Sequence, residues 1–321
     1  MRILVTGGAG FIGSHVVERL LDGGHTVGIL DEFNDYYNPA IKRDNISGFQ
    51  GRVDLVEGDI RDRDLVNGVF EKGAWDAVIH LAARAGVRPS IQEPELYIST
   101  NINGTFNLLE ACRVHGVKKF LFASSSSVYG VNEKVPFAED DAINQTISPY
   151  AATKLAGEQL CSNWARLYDI KTVCLRFFTV YGPRQRPDLA IHKFARLIHS
   201  GKPIDQYGDG TTGRDYTFIE DIVGGIMGAL AYEGPVFDIF NLGGSHPIEL
   251  NGLIALIEAA VGGKAEINRL PEQPGDVPFT WADVEKAKRL LNYQPTTPIE
   301  EGIPKFAEWF LHTKAVHAPG A

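Results

Sequence analysis

Short apolar runs alternate with longer segments of mixed polarity through the first half of the chain. Each run has the length of a buried strand, and the segments between the runs are long enough to form helices that cover a sheet. Strands are predicted there at residues 3–5, 25–30, 53–57, 76–81 and 119–123, and a further strand is predicted in the second half at residues 237–242. Strands that alternate with helices favour a parallel sheet with helices on both faces.

Proline, serine and glycine mark the helix boundaries. A helix is predicted at residues 94–115, where Gly116 ends it, and another begins after Ser148 with Pro149 at its first position. A further helix begins within residues 218–222. Residues 32–43 are rich in asparagine, proline and aromatic side chains, which predicts a loop.

A glycine-rich turn follows the first predicted strand, with Gly7, Gly10 and Gly13 before an amphipathic helix. Glycines at this spacing allow a tight turn, a close approach of the backbone to a pyrophosphate, and close packing of helix on strand. The helix N-terminus then favours the anion. The pattern alone also occurs in ordinary turns, but Asp31 ends the next strand at roughly the twenty-residue offset expected of a ribose-binding carboxylate. Together these features predict a dinucleotide site.

This motif places residues 1–175 in a doubly wound parallel sheet domain of the Rossmann type, to which residues 215–240 are predicted to return. Residues 176–314 are expected to form mainly a smaller C-terminal α/β lobe that binds substrate, and residues 315–321 a frayed tail. Because Asp31 would accept from a 2′-hydroxyl and repel a 2′-phosphate, and no arginine stands beside it until Arg43, the predicted cofactor is NAD rather than NADP.

Composition narrows the function classes. The net charge of −9 over 321 residues argues against a nucleic-acid partner or an acidic membrane surface. No apolar run reaches the roughly 18 residues that span a bilayer, and the chain enters its first strand without a leader, so a cytoplasmic protein is expected. Cys112, Cys161 and Cys174 lack metal-ligand spacing, which predicts buried thiols in a reducing compartment and no metal site.

Polar residues that follow the predicted strands are candidate ligand contacts. Asp59 is placed to accept from an adenine amino group with Ile60 packed on the ring, whereas a helix N-cap role fits Asp62 better than Asp59. Asn101 lies within a predicted helix, where a structural role and a cofactor role are equally open. Residues 124–127 are four serines that form either a polar loop or a row of hydroxyls facing a crevice.

Tyr150 and Lys154 lie one turn apart at the start of a predicted helix and therefore share one face. A phenol has a pKa of about 10, but a neighbouring ammonium and a nicotinamide cation both favour the phenolate. Such a tyrosine can take a proton from a hydroxyl. In isolation the pair fits an ordinary surface helix; after a dinucleotide motif and a serine-rich strand end it indicates acid–base chemistry.

The order of these motifs resembles the extended short-chain dehydrogenases/reductases over almost all of residues 1–312. Within that family the chain is most similar to the nucleotide-sugar epimerases, particularly the UDP-glucuronate 4-epimerases. The closer likeness is carried by residues 34–39, 85–88, 176–183 and 186–188. Residues 125–127 lack the acid that 4,6-dehydratases and UDP-glucuronate decarboxylases carry there, which makes both of those activities less favoured.

The resemblance implies inversion at C4 of a UDP-hexuronic acid, UDP-glucuronate to UDP-galacturonate, through a transient 4-keto sugar with tightly bound NAD. The implied catalytic residues are Tyr150, Lys154, Ser125 and Ser127. The implied cofactor contacts are Gly7, Gly10, Phe11, Ile12, Gly13, Asp31, Asn34, Asp59, Ile60, Leu81, Ala82, Ala83, Asn101, Ser124, Tyr150, Lys154 and Phe178. The implied substrate contacts are Arg88, Ser126, Ser127, Thr179, Arg186, Lys193, Gln206, Tyr207, Arg214 and Asp276.

Within that set, the resemblance gives Gln206 and Tyr207 to the uridine and Arg214 to the diphosphate. Arg186 is expected to hold the sugar carboxylate on chemical grounds, because a guanidinium binds two coplanar oxygens; Thr179 and either Ser127 or Arg88 would complete that pocket. The alternative for Arg186 is a solvated loop residue. It also implies a homodimer packed through the helices near residues 94–115 and 149–168. The alternatives are an epimerase of neutral UDP-hexoses, UDP-glucose or UDP-N-acetylglucosamine, and a UDP-glucuronate decarboxylase. A non-catalytic dinucleotide-sensing regulator would need neither Tyr150 nor Lys154.

Overall fold

The computed structural model describes residues 1–271 and 279–313. Within them the strands are β1 (Arg2–Thr6), β2 (Thr26–Asp31), β3 (Asp54–Glu57), β4 (Ala77–His80), β5 (Lys119–Ser125), β6 (Lys171–Phe177), β7 (Thr179–Tyr181), β8 (Ile204–Tyr207), β9 (Gly213–Phe218), β10 (Phe237–Leu242), β11 (Pro247–Glu249) and β12 (Ile267–Leu270). The helices are α1 (Phe11–Asp22), α2 (Pro39–Ile46), α3 (Arg63–Gly73), α4 (Val87–Gln92), α5 (Pro94–Tyr97), α6 (Gly104–His115), α7 (Pro149–Tyr168), α8 (Ala190–His199), α9 (Ile219–Ala231), α10 (Leu250–Val261), α11 (Glu285–Leu291) and α12 (Ile299–His312). A π-helical segment, Ile98–Asn103, joins α5 to α6.

The described residues form a seven-stranded sheet in the order β3-β2-β1-β4-β5-β6-β10, and all of its neighbouring strands pair in parallel. The strand order reverses between β1 and β4. In such sheets ligands bind outside the carboxyl ends of the strands at that point. The doubly wound parallel sheet predicted from the sequence is therefore confirmed.

Alternating side chains of the strands build a core on each face of this sheet. Ile3 and Val5 of β1 pack in one cluster with residues of α1 and α9, whereas Leu4 packs in a second cluster with residues of α3 and α6. Successive residues of a strand point to opposite faces, so both faces are apolar. Helices cover these faces and leave the carboxyl edge of the sheet to the loops.

A smaller set of elements follows β6 along the chain. Strands β11, β9 and β7 form a three-stranded sheet, and β12 pairs in parallel with β8. Strand β10, which follows β9 and α9, lies in the large sheet beside β6. The domain boundaries predicted from the sequence stay a prediction.

Local signals explain where several helices begin and end. The Ser148 side chain accepts from the Ala151 N–H, and Gly116 ends α6 with a φ of 74°. The prediction of a loop at residues 32–43 is wrong in part, because α2 begins at Pro39. Proline is tolerated in the first helical turn, and the Asn38 side chain caps that helix by accepting from the Ala40 N–H. None of the helices in the described ranges is long and apolar enough to cross a membrane.

Candidate active site

A cleft of about 460 Å³ lies at the carboxyl ends of β1, β2, β4 and β5. Residues that follow β6, among them Phe178 and Thr179, and Arg186 beyond β7 also line it. It brings together almost all of the predicted cofactor residues: Gly7, Gly10, Phe11, Ile12, Gly13, Asp31, Asn34, Asp59, Ile60, Leu81, Ala82, Ala83, Ser124, Tyr150, Lys154 and Phe178. The sequence motifs thus meet at the reversal point of the strand order.

The glycines of the first turn differ in their surroundings. Gly7 has a φ of 70°, and a Cβ on Gly13 would lie 2.1 Å from the Gly7 carbonyl oxygen, so neither position accepts a side chain. Gly10 is less crowded and caps α1 without a side-chain bond. The N–H groups of residues 11–13 therefore have no acceptor within the helix. Open donors at a helix N-terminus, reached past a glycine, fit the pyrophosphate of a dinucleotide.

Asp31 is buried at the end of β2 with three donors around its carboxylate. The Phe33 N–H and the Lys42 ammonium donate to Oδ1 at 3.0 and 3.1 Å, and the Ala9 N–H donates to Oδ2 at 3.1 Å. A carboxylate has about four acceptor sites, so Oδ2 can still accept from a ribose hydroxyl. Lys42 was not predicted as a partner of Asp31, because residues 32–43 were predicted as a loop and Lys42 lies in α2.

Two neighbouring residues of the π-helical segment point in different directions. Thr100 lines the cleft, and its buried Oγ1 has no hydrogen-bond partner among the described residues. Asn101, the predicted contact, is not among the cleft residues; its amide bonds the Arg84 backbone N–H and carbonyl and the Thr153 hydroxyl. Of the two roles left open for Asn101, the geometry therefore favours the structural one. Thr100 is the residue with an unused hydroxyl at the cleft.

Tyr150 and Lys154 lie on one face of α7 beside the serines that end β5. The Lys154 ammonium donates to the Ala123 carbonyl at 2.7 Å and lies 5.9 Å from the centroid of the Tyr150 ring. Burial lowers the pKa of Lys154 to about 8. Burial also raises the pKa of Tyr150, while a hydrogen bond with Ser125 and the charge of Arg186 act to lower it.

The four serines are not equivalent, although all line the cleft. The Ser127 hydroxyl donates to Ser125 Oγ at 2.9 Å, so these two are linked beside Tyr150. Ser124 instead donates to Glu158 at 2.5 Å, and Glu158 is held by Arg176 in a buried ion pair of 2.9 Å. The hydroxyls of Ser125 and Ser127 therefore lie beside Tyr150, whereas the hydroxyl of Ser124 is engaged by Glu158.

Four predicted substrate residues line the same cleft: Ser126, Ser127, Thr179 and Arg186. The Arg186 side chain is only 19% exposed and forms a bidentate ion pair with Asp188. The cleft also contains Tyr36, Tyr37, Glu32 and Arg84, which the sequence reasoning did not assign to the site. Tyr36 and Tyr37 lie within the segment 34–39 on which the resemblance rests.

The other predicted substrate residues are not among those that line this cleft: Arg88, Lys193, Gln206, Tyr207 and Arg214. The Arg88 guanidinium lies 4.5 Å from the centroid of the Tyr207 ring. Gln206 is fully buried, and both atoms of its amide lack a partner among the described residues. Asp276 lies outside the described residues, so its role, like the uridine contacts, stays a prediction.

Comparisons with known proteins agree with this geometry. The profile of the NAD dependent epimerase/dehydratase family matches residues 3–243. UDP-glucuronate 4-epimerase from Thermodesulfobacterium geofontis is 43% identical, with 95% of each chain covered. The crystal structure of UDP-glucuronic acid 4-epimerase from Bacillus cereus, in complex with UDP-glucuronic acid and NAD, superposes with a TM-score of 0.90 at 38% identity, covering 97% of this chain and 99% of that chain.

UDP-glucose 4-epimerase from Thermotoga maritima, solved with UDP-glucose, superposes almost as well. Its TM-score is 0.89 at 35% identity, covering 97% of this chain and 99% of that chain. The shared fold therefore does not separate neutral from acidic sugars. The match of the family profile over most of the sequence, together with identities near 40% over nearly the full length, does settle the family: this chain belongs to the NAD dependent epimerase/dehydratase family.

Proposed function

We propose that this chain catalyses the NAD-dependent inversion at C4 of UDP-glucuronate to give UDP-galacturonate, through a transient 4-keto sugar. The observation that carries the proposal is that Tyr150, Lys154 and Arg186 line one cleft. Tyr150 is suited to acid–base chemistry at a sugar hydroxyl, and Arg186 supplies a planar cation that matches a hexuronate carboxylate.

Tyr150 takes the proton from the sugar O4, while Ser125 and Ser127 orient the hydroxyl. NAD held at the glycine turn and Asp31 would supply the hydride acceptor for C4 and, after the 4-keto sugar turns, the hydride donor to its opposite face. Tyr150 then gives its proton back to O4, so the cycle is balanced without net oxidation. Lys154 keeps its charge below its pKa of about 8, and that charge favours the phenolate of Tyr150.

Arg186 has a second task, which follows from the intermediate. Oxidation at C4 of a glucuronate produces a β-keto acid, and such an acid loses CO₂ when its carboxylate is aligned for C–C cleavage. An epimerase of this substrate must hold the carboxylate while the sugar turns. A bidentate guanidinium fits that task because it binds two coplanar oxygens.

The competing activities lack this support. Dehydratases and decarboxylases need an acid in the serine row, but residues 125–127 are serines, and Glu158 is paired with Arg176 and is not among the cleft residues. A regulator that only senses the dinucleotide would not need Tyr150 or Lys154. A neutral UDP-hexose has no carboxylate for the Arg186 donors that the ion pair with Asp188 leaves open.

The direct test is incubation of the purified protein with UDP-glucuronate, UDP-glucose and UDP-N-acetylglucosamine without added cofactor, followed by chromatography of the products. UDP-galacturonate should form from UDP-glucuronate at the highest rate. Preferential turnover of UDP-glucose, or of none of the three sugars, would contradict the proposal.

The carboxylate role is tested with Arg186→Ala, assayed for epimer, 4-keto-pentose and CO₂. UDP-glucuronate should bind about tenfold or more weakly, since a charge-assisted bidentate contact is removed. The remaining flux should shift toward the decarboxylated product. Binding of UDP-glucose should change little, and unchanged kinetics with UDP-glucuronate would mean that another residue holds the carboxylate.

We also propose that the protein is a cytoplasmic homodimer that packs through α5 to α7. Exposed apolar side chains on these elements support this, among them Ile98, Phe106 and Leu167 at 48, 37 and 69% exposure. The three buried free cysteines fit a reducing compartment. Light scattering should report a dimer that Phe106→Asp dissociates, whereas Leu290→Asp, at an exposed apolar position of α11, should not.

A further inference from the structure

Asp188 occupies one edge of the Arg186 guanidinium and leaves another edge open. Arg186 donates from Nε to Asp188 Oδ1 at 2.9 Å and from Nη2 to Oδ2 at 2.7 Å. Its Nη1 donates no hydrogen bond to the described part of the chain. A guanidinium has five N–H donors, so three remain, two on Nη1 and one on Nη2. These form the end-on edge, which can bind a second carboxylate in bidentate fashion.

Tyr36 contacts both members of this ion pair from a distant part of the sequence. Its ring centroid lies 5.5 Å from the Arg186 guanidinium, and its hydroxyl donates to Asp188 Oδ2 at 3.4 Å. Tyr36 and Arg186 line the cleft, whereas Asp188 is not among the cleft residues. The guanidinium is therefore fixed through one edge and one face, with its remaining donors available.

We propose that Asp188, assisted by Tyr36, positions Arg186 for the sugar carboxylate and so sets the balance between epimerisation and decarboxylation. This inference rests on the proposed function. Asp188 is a positioning residue, since it acts through Arg186 and not on the sugar. A long arginine side chain samples many rotamers, and fixing one edge selects an orientation before the substrate arrives.

The charge of Arg186 also supports a positioning role for Asp188. The Arg186 side chain is largely buried, and a cation in that position needs a partner. Burial acts to lower the pKa of Arg186, but the bonds and charge of Asp188 outweigh it, so the net direction is upward. Asp188 is exposed, so Asp188→Asn leaves no cavity, and the amide oxygen can still accept a hydrogen bond from Arg186.

The alternative role for Asp188 is competition with the substrate carboxylate for Arg186. An aspartate that must leave before the substrate carboxylate can bind would be a competitor, and its removal would tighten binding. The two roles predict opposite signs for the same variant. The open end-on edge favours positioning, because the substrate does not have to displace Asp188 to reach donors.

The experiment uses Asp188→Asn and Tyr36→Phe in the full-length protein. Binding is measured by calorimetry in a Tyr150→Phe background, which blocks turnover, and product partition is measured with Tyr150 intact. Asp188→Asn should weaken UDP-glucuronate binding by about tenfold, as expected for a lost charge-assisted interaction. It should leave UDP-glucose binding within about twofold and raise the ratio of CO₂ to epimer. Tyr36→Phe should shift both readouts in the same direction by less.

Asp54→Asn is the matched control, since it removes an exposed acid paired with Arg2 at 3.3 Å and not among the cleft residues. It should change neither readout. Tighter binding in Asp188→Asn would show that Asp188 competes with the substrate, and unchanged binding with unchanged partition would show an ion pair without a role; either result overturns the inference. A wild-type protein that does not prefer UDP-glucuronate over UDP-glucose would instead refute the proposed function.

Discussion

Asp31→Asn tests the predicted preference for NAD over NADP, because that preference depends on the Asp31 carboxylate. The substitution keeps the shape of the side chain but removes the charge that would accept from the ribose 2′-hydroxyl. A hydrogen bond to a charged group contributes about 1.5–3 kcal/mol, so NAD should bind roughly 10- to 150-fold more weakly. The same change leaves the Lys42 ammonium, 3.1 Å from Asp31 Oδ1, without its anionic partner. That cation is then available to a 2′-phosphate, and binding of NADP should improve.

Three measurements check this reasoning. The cofactor released on denaturation should be NAD in the wild type and reduced in amount in Asp31→Asn, and titration of both dinucleotides should show a smaller preference for NAD. Lys42→Met alone should not bind NADP more tightly than the wild type. The double variant with both Asp31→Asn and Lys42→Met should lose the improved NADP affinity of Asp31→Asn. NADP as the main species in the wild type, or a gain in NADP binding that survives in the double variant, would refute the argument. The amide introduced by Asp31→Asn also disturbs the hydrogen bonds that the Ala9 and Phe33 N–H groups donate to the Asp31 carboxylate. A lower melting temperature of this variant is therefore expected.

The remaining predictions concern the acid–base helix and the π-helical segment. Tyr150→Phe should keep bound NAD and lower turnover by a factor of about 10² to 10⁴, the usual contribution of an acid–base group; near wild-type activity would point to another base. Because burial lowers the pKa of Lys154 to about 8, the unfolded chain binds more protons between about pH 8 and 10, and the free energy of unfolding should rise with pH there. Lys154→Met should flatten that rise in denaturant titrations while it damages both turnover and cofactor retention, and an unaltered pH dependence would show that Lys154 is not its source. Thr100→Val should weaken NAD about tenfold if its free hydroxyl binds the cofactor, whereas Asn101→Asp should mainly lower stability; equal NAD affinity in Thr100→Val would exclude that contact.

The π-helical segment explains why Thr100, and not the predicted Asn101, lines the cleft. Sequence reasoning assumes that each helical residue turns the chain by a constant angle. Residues 98–103 form a π-helical turn, which holds more residues than an α-helical turn, so Thr100 reaches the cleft and Asn101 turns toward the Arg84 backbone. The composition of residues 98–103 does not indicate a change from α-helical to π-helical geometry. The helix itself was predictable because Pro94 and Gly116 mark its ends.

Contacts between segments that are far apart in the sequence could not be predicted, for a different reason. The glycine turn, Asp31 and the pair Tyr150 and Lys154 follow local spacing rules, and the parallel sheet brings them to one edge. Lys42 reaches Asp31 only because α2 begins at Pro39, a residue read as a helix breaker. Tyr36 meets Asp188 across 152 positions of sequence, a distance at which no local pattern applies.

Arg186 links recognition of the sugar to the chemistry of Tyr150. Its charge is one of the influences that lower the pKa of that phenol against the effect of burial. Asp188 already offsets part of the charge, and a hexuronate carboxylate on the open edge would offset more. A bound acidic sugar therefore makes the phenolate less favourable than a neutral sugar does, and the charges of Lys154 and of the cofactor must supply the difference. Binding of the acidic sugar to Arg186 thus cancels part of the support that this arginine gives to the phenolate, which is reasonable only if restraining the carboxylate of the 4-keto acid matters more than the basicity of Tyr150.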